Sequence, residues 1–245
     1  MSVVKIQEVE ANLWNSKIVK FTPHQDVNII VGINGSGKTT LLSELQKYLS
    51  KTLGKGGAYI YIPSLDNLSV KDGRKKSNAL TQTLYDYIFF NKDTQSLMYY
   101  RMSQIDASSD QKRNIKRRVN EFCEIVNSLF KSTEKHIELK GDQFIINSSN
   151  GILLTVDELS SGEKQILLLL LRIFLLEEKE AVILIDEPEN SLDISWQYKL
   201  IDLFVKLNPN AQFFISTHSP SIFGDGWGDR IIYMEDVTTN IGEVL

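Results

Sequence analysis

The sequence predicts an α/β fold, and three observations carry that prediction. Runs at 27–31, 213–215 and 231–233 are short and mostly apolar and read as strands, and 181–185 is apolar on both faces, as a central parallel strand is. Segments with apolar residues at helical spacing alternate with these runs. A glycine-rich turn, Gly32-Ile33-Asn34-Gly35-Ser36-Gly37-Lys38-Thr39, joins the first run to a helix.

Each element follows in order. Val3 to Val9 and Ile18 to Phe21 read as an opening antiparallel pair, broken at Asn12 and Asn15-Ser16. Val27 to Val31 is the first buried strand, and Leu41, Leu42, Leu45 and Leu49 mark the helix after the turn. Ala58 to Ile62 is a strand stopped by Pro63. The character then changes. Leu80, Leu84, Tyr87 and Ile88 indicate one helix, and Phe122, Ile125, Val126, Leu129 and Phe130 a stronger one. Short strands are expected at 136–139, 143–147 and 152–155, with turns at Gly141-Asp142 and Asn150-Gly151. A helix over 163–177, the strand 181–185, a helix over 194–207 and two final strands complete the chain. The expected organisation is a core lobe of 1–63 and 164–245 with an inserted, mainly helical subdomain over 64–163.

The 245 residues carry a net charge of −4, so the chain is not a globally basic nucleic-acid binder. The single cysteine, Cys123, excludes an intramolecular disulfide and fits a reducing compartment; it is read as buried and inert. The N-terminus turns polar at once, and the run 166–176 contains Arg172 and is too short to span a bilayer. The expectation is a cytoplasmic protein without direct membrane insertion.

The glycine-rich turn fits G-x-x-x-x-G-K-[ST]. Glycines at such a turn let successive N–H groups face phosphate oxygens, and the following helix adds its positive end. Asn34, Gly35, Ser36, Gly37, Lys38, Thr39 and Thr40 are thus candidates for holding a nucleotide, with Lys38 on the β- and γ-phosphates and Thr39 on Mg²⁺. Asp186 and Glu187 end an apolar strand. Asp186 is expected to supply a second oxygen for Mg²⁺, and Glu187 to take a proton from the attacking water. Ser160, Ser161 and Gly162 open a helix and form a candidate anion contact. His218 follows a strand and is a candidate γ-phosphate contact.

The order of these segments resembles an ABC-type ATPase. Walker A is Gly32 to Thr39, the signature Leu159 to Glu163, Walker B Val182 to Glu187, the D-loop Ser191-Leu192-Asp193 and the switch histidine His218. The phrases 186–193 and 216–220 resemble the soluble branch: RecF-like, SMC-like and overcoming-lysogenisation-defect ATPases, and stand-alone ATPases of anti-phage systems such as Septu and retrons. The resemblance implies a P-loop core, ATP and Mg²⁺ as ligands, hydrolysis, and a head-to-tail dimer in which one chain's signature closes on ATP held by the other. The helix after the signature, about 15 residues or roughly 22 Å, carries Ser160 away from Asp186 in the same chain.

The chain departs from the pattern in places. Ser161 replaces a glycine and Glu163 a frequent glutamine. No Q-loop glutamine follows Pro63; Ser64 and Asp66 stand there instead. Phe21 and Trp14 are aromatic candidates for stacking on adenine, although each reads first as core. Lys112, Arg113, Lys116, Arg117 and Arg118 form a basic run, with a second cluster at Lys71, Arg74, Lys75 and Lys76. Trp196 and Phe204 read as core, and His24 and His136 have no site context.

The resemblance implies a mechanoenzyme that drives or gates a DNA-related or anti-phage complex, with DNA or RNA as candidate ligands. Only 27 residues follow His218, so an effector or nuclease is expected on a separate chain. Two alternatives remain: the ATP-binding subunit of an ABC transporter, and a non-hydrolysing nucleotide switch that scaffolds an effector.

Overall fold

The structure, a computed structural model, describes residues 5–53, 58–64, 76–89, 95–141, 143–224 and 226–241. In chain order it begins with β1 (Val9–Leu13), β2 (Lys17–Phe21), β3 (Val27–Val31), α1 (Lys38–Leu53) and β4 (Tyr59–Ile62). Next come α2 (Lys76–Ile88), α3 (Leu97–Met102), α4 (Ser109–Phe130), β5 (Lys135–Lys140), β6 (Gln143–Ser148), β7 (Leu153–Leu154) and α5 (Ser161–Phe174). The chain closes with β8 (Val182–Asp186), α6 (Ile194–Gln197), α7 (Leu200–Leu207), β9 (Gln212–Thr217), β10 (Ile231–Tyr233), α8 (Met234–Val237) and β11 (Thr238–Asn240). Two compact units result, one of residues 1–67 and 178–245, the other of residues 68–177.

In the first unit a five-stranded parallel sheet has the order β10-β3-β9-β8-β4. Strands β8 and β9 are buried along their whole length, which explains their apolar runs 182–185 and 213–215. Register pairs Val31 with Thr217 and Asp186 with Ser216, so three neighbouring strands end at one level. An antiparallel sheet, β1-β2-β11, lies in the same unit. Leu13, Val19, Ile30, Leu41, Leu42, Leu184 and Phe214 share its apolar core.

Of the opening strand expected over Val3 to Val9, Val3 and Val4 lie outside the described residues, 5–8 are not strand, and β1 begins at Val9. Val9, Ala11 and Leu13 alternate inward, and Asn12 stays in the strand opposite Ile18 on the exposed face. The chain reverses at 14–16 with φ of +55° at both Trp14 and Asn15. The helix expected over 194–207 is two helices, α6 and α7, separated at Tyr198-Lys199.

The second unit is built on α4. Ile115, Val119, Phe122, Val126 and Leu129 form its buried stripe, and Ser108 with Gln111 makes a reciprocal capping box at its start. Phe122 and Phe174 meet at 4.9 Å between ring centres. The three-stranded antiparallel sheet β5-β6-β7 is tied to α4 by Asn127, whose amide donates to Ile137 O at 2.9 Å and accepts from Ile137 N at 2.6 Å. Helix α5, assigned from sequence to the core lobe, belongs here; it is apolar from Ile166 to Leu171 and packs on α2 and α4.

The basic run divides. Arg118 falls on the buried stripe, donates to Tyr100 Oη at 3.0 Å and Phe174 O at 2.9 Å, and lies 4.7 Å over the Phe174 ring. Arg113 pairs with Asp110, and Arg117 with Glu121, on the exposed side. Lys112 and Lys116 are exposed. Lys71, Arg74 and Lys75 of the second cluster lie outside the described residues, as does Asp66. Cys123 is partly buried, and burial pushes its thiol up to about 11, which suits an inert thiol.

Candidate functional site

The expected phosphate loop leaves the end of β3, and α1 begins at Lys38. Gly35 has φ +80° and Gly37 φ +103°, conformations that a side chain resists. A Cβ on Gly37 would also meet Leu13 Cδ1 at 2.8 Å and the Trp14 ring at 3.1 Å. Lys38 is buried, and its ammonium donates to Gly32 O at 2.8 Å and Ile33 O at 3.3 Å, so it clasps its own loop. The Ser36 hydroxyl is buried without a hydrogen-bond partner among the described residues. This curled backbone with an unsatisfied hydroxyl fits an anionic ligand with several oxygens.

Asp186, 2% exposed, ends β8 beside the loop. It accepts from Thr39 Oγ1 at 2.9 and 3.1 Å, and from Ser216 Oγ on the neighbouring strand. The donor set is a hydroxyl and a carboxylate, both oxygen, which suits a hard divalent cation. No group of three or more His, Cys, Asp or Glu able to hold a metal occurs among the described residues. Burial, and then the charge of Asp186, push the Tyr61 hydroxyl up to about 12.

Glu187 follows with φ +47°, held by N–H donation to Ser216 O at 3.0 Å. Its carboxylate accepts from Asn190 Nδ2 at 3.2 Å and lies 3.5 Å from His218 Nδ1. Asn190 also donates to Ser64 Oγ at 3.0 Å. Ser64, one of two sequence candidates at the Q-loop position, thus reaches the site through Asn190. Glu189 is 4% exposed and accepts from Thr217 Oγ1 at 2.5 Å and His218 N at 3.1 Å. This fixes the backbone that carries His218.

One cavity of about 490 Å³ gathers Asn34, Gly35, Gly37, Lys38, Thr39, Thr40, Glu187 and His218, with Trp14 and Asn190. Of the residues expected in the nucleotide site, these meet in the first unit. Trp14 is not core: it is 53% exposed at the β1–β2 turn, with Lys17 Nζ 5.9 Å from its ring centre. Phe21 instead packs against the apolar core of this unit.

Ser160, Ser161 and Gly162 belong to the second unit. Ser160 is the N-cap of α5, accepting from Glu163 N at 3.2 Å, while Glu163 accepts from Ser160 N at 2.6 Å. Ser160 and Ser161 are exposed, and Glu163 is buried. A capped helix start with exposed hydroxyls can receive an anion.

Comparison with known proteins identifies the family and the fold. The family described as "AAA domain, putative AbiEii toxin, Type IV TA system" matches residues 58–224. The chain belongs to this family. The matched segment includes the signature, Asp186, Glu187 and His218; the phosphate loop lies before it. A "Putative ABC transporter ATP-binding protein" of Mycoplasma genitalium is 26% identical over 204 residues, 82% of this chain and 30% of that protein. The "Retron Ec83 probable ATPase" of Escherichia coli is 36% identical over 89 residues, 32% of this chain and 16% of that protein. The chain therefore spans less than a third of the length of either relative. Among solved structures, an SMC head bound to the C-winged helix domain of ScpA matches with TM-score 0.52 and 17% identity, covering 93% of this chain and 94% of that one. The fold is the ABC/SMC-type ATPase head, as the motif order indicated, and the family is one of ATP-binding, P-loop, ABC-like ATPases.

Proposed function

We infer that this protein binds Mg·ATP in the 490 Å³ cavity and hydrolyses it. The observation that supports this best is the direct Thr39–Asp186 contact, with Lys38 and Glu187 facing the same cavity. Backbone amides of Asn34 to Gly37, with Thr40, hold the phosphates; Lys38 neutralises the β- and γ-groups. Thr39 and Asp186 would hold a magnesium ion, which would supply screening of the developing charge. Glu187 takes a proton from water as the water oxygen bonds to the γ-phosphorus and the bond to the β-phosphate oxygen breaks. His218 contacts the γ-phosphate. Trp14 offers its exposed face to the base.

Ser160, Ser161 and Gly162 of a second copy close over the triphosphate, giving a head-to-tail dimer with two shared sites. The retron relative and the toxin named in the family description favour a role in anti-phage defence, where ATP-driven closure gates a separately encoded effector. DNA or RNA is a candidate trigger, and exposed Lys112 and Lys116 on α4 are where contact with its phosphates is expected.

No helix among the described residues is long and apolar enough to cross a membrane. The Mycoplasma relative keeps a transporter subunit as the second reading, and that reading needs a separate membrane chain. Phosphate release from Mg·ATP tests the primary reading. Glu187→Gln should lose at least about a hundredfold in turnover, the scale of a removed general base, while still binding ATP. Turnover at the parent rate would remove Glu187 from that role, and no turnover by the parent, alone or with DNA or RNA, would favour the non-hydrolysing switch.

A further inference from the structure

The start of α5 carries a charge arrangement that the phosphate loop does not share. Glu163 is buried to 1% of its side chain, one helical turn from the exposed Ser160. A buried carboxylate at a helix start occupies the electrostatic position that an incoming triphosphate would use. Left uncompensated, it would repel a second anion at Ser160 to Gly162.

The compensation comes from the β5–β6 hairpin. Lys135, at the start of β5, donates to both Glu163 oxygens at 3.0 and 2.8 Å, and its own side chain is only 20% exposed. The same carboxylate accepts from Ser160 N at 2.6 Å. One ammonium therefore neutralises the buried charge and fixes the carboxylate that orients the Ser160 backbone. The glutamine frequent at this position in related signatures would cap the helix without charge. Here the capping group is anionic, and a lysine accompanies it.

We propose that Lys135 is a positioning residue for the Ser160–Gly162 anion contact, neutralising Glu163 so that a triphosphate held by a second copy can dock there. This rests on the two-chain reading above. Removing Lys135 leaves a buried unpaired carboxylate, whereas removing both charges leaves a neutral capped helix.

The test uses the full chain in a Glu187→Gln background, with Mg·ATP-dependent dimerisation followed by sedimentation and ATP affinity of the monomer by titration. Lys135→Met should raise the dimer dissociation constant about tenfold or more, as a close charge pair does at an interface. Affinity of the monomer for ATP should stay within about twofold, because the nucleotide is held by the other unit's loop. Lys135→Met/Glu163→Gln should return dimerisation to within about threefold of the background, and Lys135→Arg should also retain it. A double variant as weak as Lys135→Met would overturn the charge argument and leave only a structural loss. Lys135→Met dimerising like its background would overturn the inference while leaving the two-chain site standing. A background that stays monomeric when saturated with ATP would remove both.

Discussion

The side-chain amide of Asn190 donates to the Glu187 carboxylate at 3.2 Å, and the same amide nitrogen reaches Ser64 Oγ at 3.0 Å. Glu187 stands at the end of β8 with φ +47°, so its direction depends on such contacts. Ser64 is 3% exposed just beyond β4, and it anchors the amide to the sheet. Asn190→Ala should lower ATP turnover by about 10- to 100-fold, the scale of a lost supporting contact, with ATP affinity nearly unchanged. Steady-state kinetics read this as a fall in kcat without a rise in KM. An unaltered kcat would show that Glu187 needs no such support.

Trp14 offers an exposed ring at the edge of the phosphate loop. Trp14→Ala should weaken ATP about tenfold, the scale of one base stacked on an aromatic. Inorganic tripolyphosphate lacks a base, so its affinity should not change. Equal losses for both ligands would mean that the substitution disturbs the loop through Gly37 rather than a base contact.

The phosphate loop, Asp186 and Glu187 were legible because each is a short local pattern next to a strand. Their meeting follows from parallel register, which places Asp186 beside Ser216 and Val31 beside Thr217. Asn190 and Ser64 were not read as a contact, because 126 residues separate them and only the fold joins them. Trp14 reads as core from its apolar character alone; the end of β1 at Leu13 puts it in the turn, where it is exposed. Arg118 carried a usable signal: it lies three residues after Ile115 and four before Phe122, on the buried stripe. The Lys135–Glu163 pair left no local trace, since the hairpin that brings Lys135 back is 28 residues away in sequence.

Arg118 should matter for stability rather than nucleotide binding. It donates to Phe174 O and Tyr100 Oη from a side chain only 3% exposed as a residue. Arg118→Ala should destabilise the chain by about 2–4 kcal/mol, combining lost packing with acceptors left unpaired. Urea unfolding measures this, and a change below about 0.5 kcal/mol, the scale of an ordinary surface substitution, would contradict the buried placement.

The Lys135–Glu163 pair sets a pH dependence. Burial alone would raise the Glu163 carboxyl, but hydrogen bonds from Lys135, Thr133 and Ser160 N outweigh it and hold it below the ordinary 4.5. The unfolded chain then binds the proton more readily. The stabilisation is full above pH 4.5 and is lost as pH falls below it through the lower folded value. Glu163→Gln should flatten this part of the acid limb of the stability curve. An acid limb identical to the parent's would show that Glu163 does not contribute.

The most direct measurement of the central claim is sedimentation velocity of Glu187→Gln with and without saturating Mg·ATP, alongside the same protein carrying Ser160→Arg. The account predicts a monomer without nucleotide, a dimer with it, and a monomer that still binds ATP when Ser160 is replaced. A fully ATP-loaded Glu187→Gln protein that sediments as a monomer would contradict it.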